Sequence, residues 1–90
     1  MGGSESTPRI HLTQHAGERL AERAIKVEWV AEICSSPEFV RKDLRRPGVM
    51  LAFGRIAEAR GKWLRVAYVM NGPEIRIVSA MFDGRAQKWR

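Results

Sequence analysis

Ninety residues with a net charge of +6 leave room for one domain with a small core. No apolar run approaches the ~20 residues of a bilayer-crossing helix, and the first residues lack the basic and apolar segments of a secretory signal, so the expected compartment is the cytoplasm. One cysteine, Cys34, excludes an internal disulfide, and with two histidines it also excludes a four-ligand Cys/His zinc site. Phosphate-cradling and dinucleotide-binding glycine patterns are missing as well, so neither a metal nor a cofactor is expected.

Charge is divided along the chain. Residues 1–40 carry four basic and six acidic groups, whereas residues 41–90 carry twelve basic and four acidic groups. Arginine supplies twelve of the sixteen cations, and its planar fork suits bidentate contact with phosphate. A basic half on a small domain points to a polyanion, most simply RNA, with DNA as the variant of the same reading. The plainer alternatives are a solubilising face or a docking surface for an acidic protein.

Residues 1–9 read as a Gly/Ser-rich leader, followed by a single domain over 10–90 that opens on the short extended stretch Ile10-His11-Leu12. Thr13 is the expected N-cap of a helix over 14–23, with Leu12, Ala16, Leu20 and Ala24 as its apolar stripe. A second helix is expected over 27–35, with Val27, Val30 and Cys34 in line and Trp29 and Ile33 beside them. It should stop at Ser35-Ser36-Pro37, because proline disfavours helix for the residue before it.

From Glu38 the apolar period becomes two. Strands are expected over 39–44, 49–59, 62–70 and 74–82, separated by turns at Arg46-Pro47-Gly48, Arg60-Gly61-Lys62 and Asn71-Gly72-Pro73. The fold class is therefore α+β, two N-terminal helices packed on one face of an antiparallel meander of about four strands, with the other face open. If the last hairpin pairs Met70 with Ile75, then Leu64, Val66, Tyr68, Ile75, Ile77 and Met81 face the core. Arg65, Ala67, Val69, Arg76, Val78 and Ala80 then share the open face.

Three groups of residues can carry chemistry. His15, Arg19 and Arg23 recur every four residues along the first helix, so they can hold a phosphate, with His15 able to move protons near neutral pH. Arg65 and Arg76 form a shallow cationic surface for a phosphodiester backbone, with Lys62 and Arg85 as further contacts. Trp63, Phe82 and Trp89 can stack bases, while Trp29, Phe39, Phe53 and Tyr68 belong to the core. Against each stands a bland reading: solvated helix face, ordinary sheet-surface charge, structural aromatics. Cys34 reads as a buried small hydrophobe.

The run Leu12-Thr13-Gln14-His15-Ala16, Glu18-Arg19-Leu20, Glu22-Arg23-Ala24-Ile25 resembles the opening of the DUF4258 family, roughly T-x-H-A-x-x-R-x-x-x-R-G-I. Leu64-Arg65-Val66-Ala67-Tyr68 and Ile75-Arg76-Ile77-Val78-Ser79-Ala80 resemble its two closing strands, so the likeness covers about residues 10–85. That family looks like a relative of small bacterial toxins of the BrnT and RelE type, which cut RNA with basic side chains. The resemblance implies such a fold and suggests a metal-independent endoribonuclease of toxin type, and by match to the motif it carries over His15, Arg19 and Arg23. Joined to the sheet-face reading, this makes His15, Arg65 and Arg76 the expected catalytic residues, with Arg19, Arg23, Lys62 and Arg85 on the nucleic acid. The alternatives are a non-catalytic nucleic-acid-binding module and a protein-interaction domain docking a small acidic antitoxin-like partner. One departure is Ala24, where the family commonly has glycine; if that turn needs positive φ, alanine costs about 1 kcal/mol.

Overall fold

The computed structural model describes residues 9–89. Residues 1–8 of the leader expected over 1–9 and the stacking role of the Trp89 side chain lie outside the described residues, and Arg9, expected to end the leader, instead opens a strand. Five strands form one sheet: β1 (Arg9–Leu12), β2 (Phe39–Lys42), β3 (Met50–Ile56), β4 (Lys62–Asn71) and β5 (Glu74–Phe82). Helices α1 (Gln14–Glu22) and α2 (Val27–Ser35) lie between β1 and β2, and a short α3 (Ala86–Trp89) follows β5. The sheet order is β1-β5-β4-β3-β2, with β1 parallel to β5 and every other pair antiparallel. The expected four-stranded meander is thus a five-stranded mixed sheet. Ile10-His11-Leu12 does not stay a free lead-in, because its apolar positions pair with those of the last strand, Ile10 with Ile75 and Leu12 with Ile77.

Local chemistry explains where the helices begin and end. The Thr13 hydroxyl accepts a hydrogen bond from the Ala16 amide (3.1 Å) and so satisfies one orphan donor of α1. Leu20, Val30 and Ile33 turn inward and meet Val66, Ile75, Ile77 and Ala80 in one core, with Cys34 and Tyr68 at its margin. Trp29 is also inside, its indole N–H donating to Glu58 (2.6 Å) in the 3-10 turn Ala57–Ala59. Among the described residues no helix is long and apolar enough to cross a membrane.

Between the helices, Ala24 adopts φ +56°, the left-handed conformation that the missing glycine would take without strain. Its amide still closes the α1 turn onto the Ala21 carbonyl (3.1 Å). Ala24→Gly is therefore expected to stabilise the protein by about 0.5–1 kcal/mol, relieving the side-chain clash but loosening the unfolded chain. Thermal melting should rise by roughly 2–8 °C; a lower melting temperature would show that the turn carries no strain.

The last hairpin closes as expected through Met70 and Ile75, with Asn71 opposite Glu74 and Gly72 supplying the positive φ of a two-residue turn. Further along, β5 bulges: Tyr68 pairs with Ile77 but Ala67 pairs with Ser79, leaving Val78 as the extra residue. One inserted residue reverses the alternation beyond it. Ala80, expected on the open face, is 1% exposed in the helix-side core, and Met81, expected in the core, lies opposite Arg65 on the other face.

That other face is not bare. Phe53, Trp63 and Ala86 form a second buried cluster there, joined by Phe39 and Leu51, so α3 caps one end of the sheet through Ala86. Phe39 stacks on Phe53 (centroids 4.6 Å apart) and meets Trp63 edge-on.

Candidate nucleic-acid interface

Strand pairing decides which cations share a surface. Val66, Leu64, Ile75 and Ile77 face the helices, so Arg65 and Arg76 alternate onto the opposite face. Register adds Phe53 and Arg55 from β3 and Arg41 from β2, since Arg41 pairs with Leu51 and Leu51 with Ala67. On the β1 side, His11 pairs directly with Arg76. The open face therefore carries His11, Arg41, Arg55, Arg65 and Arg76 around the small side chains of Ala67 and Ser79. The helix layer carries Glu18, Glu22, Glu28 and Glu32. The same layer also carries Arg19, Arg23 and Lys26, so its charge is mixed, whereas the open face is mainly basic.

Carboxylates orient some of these arginines. Glu38 takes Arg55 in a two-pronged pair (both N–O distances 2.9 Å), which also places the guanidinium over Trp63. Asp83 accepts from Arg65 (3.1 Å) with one carboxylate oxygen and from the Arg85 amide (2.9 Å) with the other. A single carboxylate thereby steadies both the central arginine and the turn into α3. Arg76 and His11 are exposed.

The residues singled out in the sequence do not come together as one site. His15 is exposed on α1 and accepts a hydrogen bond from Arg19 (3.1 Å), while Arg23 donates to the Ala80 carbonyl (2.8 Å) and so pins α1 to β5. All three belong to the helix layer, and the sheet stands between His15 and the pair Arg65 and Arg76. Lys62 also points to the helix side, over Phe82 (5.6 Å to the ring centroid). Arg85 stays with the open face through its place beside α3. Of the aromatics proposed for stacking, Trp63 is 9% exposed inside the second cluster, and Phe82 packs edge-on against Trp29. Neither offers a free ring face.

Arg41, Arg55 and His11 were not grouped with this face from sequence. The signal that finds them is cross-strand register, which needs the neighbour of each strand, and neither β1's neighbour nor the pairing of β2 is written in local periodicity.

Cys34 is half-buried, and burial pushes its thiol up to about 11. Thiolate is the reacting form, so a thiol reagent at neutral pH should label the native protein about a hundredfold more slowly than the urea-unfolded chain. Equal rates would show the thiol to be open.

No curated protein and no solved structure matches the chain. Residues 12–82 match the family described as a domain of unknown function, DUF4258. That span runs from Leu12, at the end of β1, to Phe82, the last residue of β5, and takes in α1, α2 and the strands that carry Arg41, Arg55, Arg65 and Arg76; the chain belongs to the DUF4258 family.

Proposed function

We propose that the protein binds RNA on the open face of its sheet. The observation that carries this reading is the gathering of Arg41, Arg55, Arg65 and Arg76 on the face of the sheet turned away from the helices. Guanidinium groups on adjacent strands can follow successive phosphates.

The toxin-type endoribonuclease is the sharper form of this proposal, and it rests on the resemblance to BrnT- and RelE-type toxins drawn from the sequence. Cleavage of this kind starts with attack of a 2′-hydroxyl on the neighbouring phosphorus. The base takes the hydroxyl proton, the new O–P bond forms, and the 5′ oxygen leaves with a proton. Arginines stabilise the extra charge on the phosphorane. The histidine available beside Arg76 is His11 rather than His15.

A fluorescently labelled single-stranded RNA, titrated between about 50 and 300 mM salt, tests both levels. Four phosphate contacts give a slope of log affinity against log salt near −3. The same titration with DNA tells the two polyanions apart. If RNA is also cut, His11→Ala should stop cleavage with affinity nearly unchanged, and His15→Ala should leave it intact. Absence of salt-dependent binding to either nucleic acid overturns the proposal.

A further inference from the structure

The loop between β2 and β3 makes a second kind of surface. A groove of about 940 Å³ runs beneath it, lined by Val40, Leu44, Leu51 and Phe53 and rimmed by Arg41, Lys42, Arg45, Arg46 and Arg65. Leu44 is 94% exposed and Val40 40% exposed, two of the four large apolar side chains left in solvent among the described residues. Asp43 is the acid in this lining, and it is spent on the loop itself: it accepts from the Arg45 amide (2.9 Å) and from the Arg46 guanidinium (2.8 Å).

The groove lies along the edge of the sheet. β2 pairs with β3 alone, so its outer side has no neighbouring strand among the described residues. The Asp43 amide bonds to the Val49 carbonyl (2.9 Å), which fixes the alternation of the ladder. Arg41, two residues back, turns its main-chain groups to β3, and Val40 and Lys42 turn theirs outward. Edge strands are commonly blunted by inward charges, bulges or a covering element. This one is short and carries Arg41 and Lys42, a charge pattern that turns away basic strands but suits an acidic one, and it is flanked by the exposed aliphatic side chains of Val40 and Leu44.

We propose that the β2 edge and its groove receive an acidic, apolar-rich polypeptide segment, added to the sheet as a sixth strand. Main-chain groups of Val40 and Lys42 would pair with the segment, alternate apolar side chains would fill the ground between Leu44 and Leu51, and its carboxylates would meet the cationic rim. RNA fits this edge less well. The rings nearest the groove, Phe39 and Phe53, are stacked on each other with Phe53 2% exposed, so no aromatic platform is open to bases. The groove shares Arg41 and Arg65 with the face proposed for RNA, while Leu44, Arg45 and Arg46 belong to the groove alone, so variants at those three read the peptide site separately.

A display library of random ten-residue peptides, selected on the full chain, tests it. Enriched sequences should alternate valine, isoleucine or leucine with aspartate or glutamate. A synthesised winner should slow hydrogen exchange at the Val40 and Lys42 amides. Its affinity should fall at least tenfold on Leu44→Ser and again on the double change Arg45→Glu, Arg46→Glu; both sites are exposed, and thermal melting checks that the variants stay folded. No enrichment over bare support overturns the proposal. So do winners without an acidic excess, winners that bind Leu44→Ser equally well, or protection of the same two amides by single-stranded RNA in place of the peptide. Because RNA affinity is read separately, failure here leaves the open-face reading standing.

Discussion

Gly54→Ala is expected to cost about 1–3 kcal/mol, and the loss should nearly vanish when Ile33 is valine. A methyl group built on Gly54 falls 2.5 Å from Ile33 Cδ1, while Cγ1 is 3.8 Å away and the Glu38 amide 4.0 Å. Ile33 is 2% exposed where α2 meets β3, so its end methyl has no solvent to retreat into. Ile33→Val removes that one carbon and alone costs about 0.5–1.5 kcal/mol. The double variant should therefore sit close to Ile33→Val, well short of the summed penalties. Urea unfolding of the four proteins gives the coupling, and simple additivity would mean that Gly54 is needed for something other than the approach of α2. Since the φ of Gly54 is not in the left-handed region, side-chain space is the whole of the expected effect.

RNA affinity should move in opposite directions on Arg76→Ala and Asp83→Asn. Each phosphate contact contributes about 0.7 to the salt slope for a single strand, so losing one costs roughly fivefold at 0.1 M salt and roughly twenty-five-fold at 0.01 M. Arg76→Ala should show that loss together with a flatter slope. Asp83 instead competes with phosphate for Arg65. Asparagine at 83 keeps a side-chain oxygen for the Arg85 amide and removes the competing charge, so binding should tighten a few-fold. The gain should be absent when Arg65 is alanine. Tightening that persists without Arg65 would place the effect in general charge rather than in this pair.

Much of the architecture was legible because the chain states its periods clearly. The bounds of α2, the cap at Thr13 and the pairing of Met70 with Ile75 all follow from short-range chemistry. The left-handed turn at Ala24 was legible only through the resemblance, since alanine itself gives no sign of positive φ. The bulge at Val78 was not legible. Val78 is as apolar as Ile77 before it, and only the packing of Ala80 under the helices selects the shifted register. The fifth strand was missed for a different reason: four extended residues carry too little pattern to name a partner on the far side of the chain. These two features also decide the candidate surface. Pairing with β5 brings His11 to Arg76, and helix packing keeps His15 away from it.

The pairing of the first strand with the last has a cost during synthesis. Arg9 faces Glu74 and Leu12 faces Ile77, so this strand finds no seat until the residues through Ile77 have left the ribosome. Until then Ile10 and Leu12 lack their partners, and the helices can only begin to gather on β2, β3 and β4. Such distant contacts slow folding and lengthen the interval in which apolar edges are exposed to neighbours. A nascent chain halted before Glu74 would have α1 and α2 but no strand to hold Arg9–Leu12 in place, and is a natural target for chaperones or proteases.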